Sequence, residues 1–175
     1  MRLAIKQASL AFIEGEVPVG AVLVMEGKVI AKARNKREMS NDPAGHAEII
    51  ALRRGAKKID NWRLSDATLY VTKEPCIMCA GVMVNARLGR LIYGCRDEKG
   101  GAVDSLYELL SDKRLNHQVE VVSGILEAEC SEILRRFFQE RRGAGAVERG
   151  GLENRCGGNS TQGSNPCLSA KKSPG

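Results

Sequence analysis

The sequence predicts a three-layer α/β/α sandwich built on a five-stranded mixed sheet. Two observations carry this expectation. Helix-like and strand-like patterns alternate through residues 1–142, with five strand-like runs among them. A sheet interleaved with helices in that way is covered on both faces. The chain has 175 residues and is 43% apolar, which is long and apolar enough to bury a core without disulfide staples.

Each element has a local signal. Leu3, Leu10 and Ile13 give a helical stripe that stops at Gly15. Residues 19–24 and 29–33 read as two strands joined by the turn Glu26-Gly27-Lys28, a hairpin. A polar loop is expected over residues 35–43, then a helix over 46–55 stopped by Gly55. A strand over 67–72, a helix over 77–87 and a strand over 91–93 follow. Residues 96–102 read as a loop, 106–110 as a short helix, 119–122 as the fifth strand and 126–142 as a long helix.

The composition changes near residue 143. The first 142 residues hold 11 of the 19 glycines and the remaining 33 residues hold 8, a density that argues against helix or strand. Residues 1–142 are therefore expected to form the domain, and 143–175 a mostly disordered tail. The run Gln162-Gly163-Ser164-Asn165-Pro166-Cys167 can be encoded by CAG GGT TCG AAT CCC TGT. That string carries TTCGAAT between complementary CAGGG and CCCTG, the layout of a tRNA T-arm. The expectation is that the reading frame runs on into a tRNA gene.

Charge and cysteine usage narrow the class. A net charge of +6 suits an acidic partner such as RNA without specifying one. No apolar run reaches the length of a membrane span, and Met1 to Glu14 lacks a signal-peptide layout. A cytoplasmic protein without a membrane partner is expected. Two of the six cysteines form a Cys-x-x-Cys pair, and without a secretory signal this favours metal binding over disulfides.

The strongest chemical signal is His46-Ala47-Glu48 followed by Pro75-Cys76-Ile77-Met78-Cys79. Cys76 and Cys79 are spaced i, i+3 and share one side of a helix. Pro75 suits the position before its first turn, and the positive end of the helix dipole favours thiolates there. Two thiolates and the His46 imidazole make three ligands of a tetrahedral zinc site, with the fourth position left to a water the metal activates. Glu48 is the expected proton carrier. On an ideal helix His46 and Glu48 point about 200° apart, so both can face one site only if His46 stands at the helix entry. A lone His46 reads as structural, and a lone Cys-x-x-Cys as a zinc knuckle or redox pair. Neither accounts for the joint pattern, which is the signature of zinc-dependent nucleobase deaminases. Cys95 and Cys130 read as buried core thiols.

Longer strings narrow this further. Glu16-Val17-Pro18-Val19-Gly20-Ala21-Val22, Thr68-Leu69-Tyr70-Val71-Thr72, Glu74-Pro75-Cys76-Ile77-Met78-Cys79-Ala80-Gly81 and Leu115-Asn116-His117 resemble the bacterial tRNA-specific adenosine deaminases over residues 1–142. The resemblance implies a cytidine deaminase-like fold. It implies hydrolytic deamination of adenosine to inosine at the wobble position (34) of tRNA, usually tRNA-Arg with anticodon ACG. It also implies one zinc ion per subunit and a homodimer acting on the anticodon stem-loop. By position, His46, Cys76 and Cys79 would bind zinc and Glu48 would carry the proton. The main chain at Ala47 and Pro75 would help hold the attacking water. Asn35 would recognise the base, Val17 would line the pocket, and Asn116 would contact the anticodon loop. The loop carrying Asp97 and Lys99 would lie near the ribose-phosphate chain.

The last helix carries Arg135-Arg136-Phe137-Phe138-Gln139-Glu140-Arg141-Arg142. Four arginines around two phenylalanines resemble a basic surface with a stacking platform. Adjacent residues point about 100° apart on a helix, which allows one ring in the core and the other at the RNA. The resemblance favours Phe138 as the exposed ring, with Arg141 among the RNA contacts. Two other readings remain at this point: a deaminase of free guanine, cytosine or cytidine, and a zinc-stabilised RNA-binding protein without catalysis.

Overall fold

The structure, a computed structural model, describes the backbone of residues 1–153 and the side chains of residues 1–142. Its elements follow in the order α1 (Arg2–Ile13), β1 (Gly20–Met25), β2 (Lys28–Arg34), α2 (Arg37–Ser40), α3 (Ala47–Ile59), β3 (Ala67–Lys73), α4 (Ile77–Asn85), β4 (Arg90–Cys95), β5 (Glu120–Val122) and α5 (Glu127–Glu153). The chain divides into two compact units, residues 1–140 and 141–175.

The sheet order is β2-β1-β3-β4-β5. β1 pairs antiparallel with β2 and with β3, whereas β3–β4 and β4–β5 are parallel. The mixture follows from the connections: a tight turn at Glu26-Gly27 makes a hairpin, whereas α4 returns the chain so that β4 runs parallel to β3. Side-chain alternation on β1 sends Gly20 and Val22 to one face and Ala21 and Leu23 to the other. Gly20 lies under α1, where an added Cβ would fall 2.0 Å from the Ala4 carbonyl oxygen. Leu23 meets α3 on the opposite face. Cys130 and Leu134 of α5 pack with Cys95, Met1 and Ile5, and Phe12 meets Phe137 edge-on at 5.6 Å. Helices α1 and α5 therefore share one layer, and α3 and α4 form the other over the main apolar core.

Three local expectations need correction. Gly55 does not stop its helix, which continues to Ile59 and closes at Asp60 in a left-handed conformation. Gly55 is instead a packing glycine, because an added Cβ would fall 2.2 Å from Leu23 Cδ2. Residues 106–110 form turns rather than a short helix. The local amides bond elsewhere: Leu106 N–H reaches the Gly101 carbonyl at 3.1 Å and Leu109 N–H the Ala102 carbonyl at 3.1 Å. The polar loop over residues 35–43 contains the single turn α2, closed by Asn41 at φ 47°.

The backbone of α5 runs to Glu153, through Gly143, Gly145, Gly150 and Gly151. A helical glycine costs about 1 kcal/mol relative to alanine. Propagation from a helix already formed can carry that cost where nucleation could not. Residues 154–175, including Cys156, Cys167 and the run resembling a T-arm, lie outside the described residues. Among the described residues, no helix is long and apolar enough to cross a membrane.

Candidate active site

The site forms where the starts of α3 and α4 meet the loops after β2 and β4. His46 is the N-cap of α3, with extended backbone at φ −79° and ψ 143°. This is the entry position that lets His46 and Glu48 face one point despite their i, i+2 spacing. Cys76 is the N-cap of α4 (φ −77°, ψ 174°), and Cys79 lies one turn further on. Pro75 holds the approach, its carbonyl accepting from Ala102 N–H at 2.8 Å, and a β-bridge joins Cys76 to Gly101.

The ligand atoms of His46, Cys76 and Cys79 lie within 4.8 Å of one another. His46 Nδ1 is 3.6 Å from Cys76 Sγ and 3.4 Å from Cys79 Sγ. A tetrahedral zinc bound at ordinary Zn–S and Zn–N lengths requires N···S edges of about 3.6 Å. The three side chains therefore fit that ion as they stand. The chemistry of the set agrees. The hydrogen bond from Cys79 and, against burial, that from His46 hold the Cys76 thiol down to about 4. Donating to Cys76, together with burial, pushes Cys79 up. Hydrogen bonding to Cys76 raises His46 despite burial.

Glu48 is 4% exposed, and its Oε2 is buried with no hydrogen-bond partner. Burial is the largest influence and raises its carboxyl above the ordinary carboxylate range. Burial makes this carboxyl hold a proton more readily than an exposed one, which suits a group that must take up and release a proton.

These residues open onto a cavity of about 330 Å³ lined by Val17, Val19, Asn35, Arg37, His46, Glu48, Lys73, Glu74, Cys76, Asp97 and Phe138. A larger cleft of about 530 Å³, bordered by Asp104, Tyr107, Asp112 and Arg114, contains none of the metal-ligating set. The chemistry therefore belongs to the smaller cavity. Asn35 is 6% exposed and directly follows β2. Phe138 is 44% exposed at the cavity, whereas its neighbour Phe137 is buried. Ala47 is fully buried as the first residue of α3. Asp97 pairs with Lys73 at 2.6 Å. Lys99 is exposed and does not line the cavity; its N–H donates to Asp97 Oδ1 at 3.3 Å. Asn116 is exposed outside the cavity and accepts from Arg87. Arg141 belongs to the second compact unit. Cys95 and Cys130 are buried thiols, and Cys95 donates to the Thr72 carbonyl at 3.4 Å.

Two carboxylates escaped the sequence reading as functional candidates. Glu16 is buried and bonded to Asn35 Nδ2 at 3.1 Å. Glu74 is buried beneath the residue 96–105 loop. It accepts the N–H groups of Asp97 (2.9 Å), Val103 (3.1 Å), Asp104 (2.8 Å) and Ser105 (2.9 Å), and the Ser105 hydroxyl. Burial opposes its ionisation, yet these donors prevail and lower its carboxyl to about 2. Each acid lies one or two residues before a proline in an otherwise apolar run, and this was the available signal.

Fold and site together define a class, the α/β/α deaminases, with a His-Cys-Cys group that could hold a metal beside a buried glutamate. The MafB19-like deaminase family matches residues 1–142. The chain is 49% identical over 142 residues to the tRNA-specific adenosine deaminase of Bacillus subtilis (strain 168), spanning 81% of this chain and 88% of that protein. It is 47% identical over 155 residues to the tRNA-specific adenosine deaminase of Haemophilus influenzae Rd, spanning 88% and 90%. A solved structure from a study of A-to-I editing by tRNA:A34 deaminases at the wobble position aligns with a TM-score of 0.74 and 46% identity, over 77% of this chain and 97% of that one. The chain belongs to the tRNA-specific adenosine deaminase family.

Proposed function

We propose that this protein deaminates adenosine to inosine at the wobble position of tRNA in the cytoplasm, with tRNA-Arg carrying the ACG anticodon as substrate. The observation that carries this reading is the buried, unpartnered Glu48 Oε2 beside three side chains spaced for zinc. A purely structural metal site has no use for such a carboxylate. The 44–49% identity to relatives named for this activity supports the substrate class.

His46, Cys76 and Cys79 would hold one zinc ion per subunit. When bound, zinc supplies Lewis acidity that can bring the pKa of water to about 7. The protein's own residues do the rest. In net terms water supplies the oxygen at the purine carbon and ammonia leaves. Glu48 takes one proton from water at its buried carboxylate and passes it to the ring nitrogen. It then takes the remaining proton of the added oxygen and delivers it to the amine, so that the C–N bond breaks, ammonia leaves and the carbonyl forms. The main chain at Ala47 and Pro75 helps orient the water. Asn35 pairs with the edge of the base. Val17 and Val19 wall the cavity, and Phe138 offers an exposed ring at its mouth on which a base can stack.

Adenosine in an anticodon loop is reachable because its base can be splayed out at low cost. Arg135, Arg136, Arg141 and Arg142 add positive charge for the phosphates, the loop of Asp97 and Lys99 approaches the ribose-phosphate chain, and Asn116 contacts the anticodon loop. We also infer a homodimer. The apolar groove lined by Leu52, Ala56, Trp62, Leu64 and Val82, with exposed Ile77 and Met78 on α4, supports it.

The test is incubation of the zinc-loaded protein with total tRNA, followed by sequencing for A-to-G changes. Conversion at position 34 of tRNA-Arg(ACG) is expected. No conversion, with ammonia released instead from free guanine or cytidine, would establish a small-molecule deaminase.

A further inference from the structure

Glu16 takes no part in the chemistry above, yet it is 1% exposed and both its oxygens are engaged, one of them by Asn35 of the cavity lining. Oε2 accepts from Asn35 Nδ2 at 3.1 Å, and Oε1 accepts from the Met39 backbone N–H at 2.7 Å. Its own N–H donates to the Ala11 carbonyl at 2.9 Å, so the turn that leaves α1 is fixed before the side chain reaches inward. Asn35 is fixed at its main chain as well, through its N–H to the Val19 carbonyl at 3.0 Å.

The chemistry of this contact is asymmetric. The Glu16 carboxyl accepts at both oxygens, whereas an asparagine amide has a donating end and an accepting end of nearly the same shape. Glu16 therefore admits one of the two orientations of the Asn35 amide, nitrogen toward Glu16. The amide oxygen and the second amide N–H are left for a ligand. With a neutral or absent partner the amide can turn by 180° and exchange donor for acceptor at the base. The bond to Met39 extends this control to α2, whose Arg37 lines the same cavity.

We propose that Glu16 is a positioning residue for base recognition, acting through Asn35 by fixing which edge of its amide the base meets. This rests on reading the cavity as the adenine pocket. A merely structural buried acid would instead only tie the α1–β1 turn to the residue 36–45 loop.

A double-mutant cycle separates the two. Zinc content, melting temperature and kcat/KM on an anticodon stem-loop are measured for the wild type, Glu16→Gln, Asn35→Ala and the pair. The expected result is a loss of kcat/KM of about tenfold to a hundredfold for Glu16→Gln, the scale of a charge-assisted hydrogen bond, with zinc retained. Once Asn35 is alanine, Glu16→Gln should cost no more than about twofold further. Glu16→Asp keeps the acceptor and should recover part of the loss; it replaces Glu16→Gln in the cycle if that variant does not fold. Equal losses in both backgrounds would overturn the role through Asn35, as would a wild-type rate in Glu16→Gln. A zinc-loaded wild type inactive on every tRNA overturns the pocket reading itself, and this proposal with it.

Discussion

A carboxylate oxygen buried without a hydrogen bond costs about 1–3 kcal/mol or more, so Glu48 is sustained against the stability of the fold. Replacing it with glutamine keeps shape and removes the proposed proton carrier. Glu48→Gln is expected to retain zinc and melt no lower than the wild type, while inosine formation falls by about 10²-fold or more. Metal analysis alongside a single-turnover assay checks this, and near-normal turnover would remove Glu48 from the mechanism. The sequence already exposed Glu48, because an acid two residues from a histidine before a Pro-Cys-x-x-Cys is legible as a pattern. Glu16 was not legible in the same way. Its partners Asn35 and Met39 lie 19 and 23 residues away, and no periodicity links them.

Helices and strands bring these groups together, and two of them carry measurable consequences. On α3, Gly55 faces Leu23 of β1 where an added Cβ would lie 2.2 Å from Leu23 Cδ2. Gly55→Ala is therefore expected to destabilise by about 1–3 kcal/mol through overpacking, although alanine is the better helix former. Chemical denaturation gives the sign, and a gain in stability would mean that α3 can shift freely off the sheet. At the β3–α4 junction, Glu74 ties the turn that carries Cys76 to the residue 96–105 loop. Its carboxyl falls from an ordinary 4.5 to about 2 on folding. A carboxyl lowered in this way contributes stability that is fully present above 4.5 and is lost as the pH falls toward 2. Between those values the wild type should lose stability more steeply than Glu74→Gln, and at pH 7 Glu74→Gln should be the less stable of the two. Parallel pH profiles for the two proteins would contradict the assignment.

Across the whole molecule, the MafB19-like deaminase match ends at residue 142 and the first compact unit at residue 140, while the match to the Haemophilus influenzae relative spans 155 residues. We propose that residues 1–142 are the enzyme and that 143–175 add nothing to it, the remainder arising by read-through into a tRNA gene. A chain ended at residue 142 is expected to keep its zinc, its melting temperature and its activity on tRNA; a loss of activity would assign the tail a role. The gene's nucleotide sequence tests the origin, since it must fold as a tRNA cloverleaf beyond residue 150. By itself the sequence determined the fold class, the five strands, the His-Cys-Cys set and Glu48. These are written in local spacing, which sets the side of a helix or strand a residue occupies. The tertiary structure alone decided that Gly55 packs rather than terminates, that residues 103–106 surrender their amides to Glu74 and Gly101, and that Glu16 holds Asn35. Those contacts join segments distant along the chain through the sheet order β2-β1-β3-β4-β5. A buried carboxylate takes whatever donors that order places beside it, and sequence spacing carries no record of them.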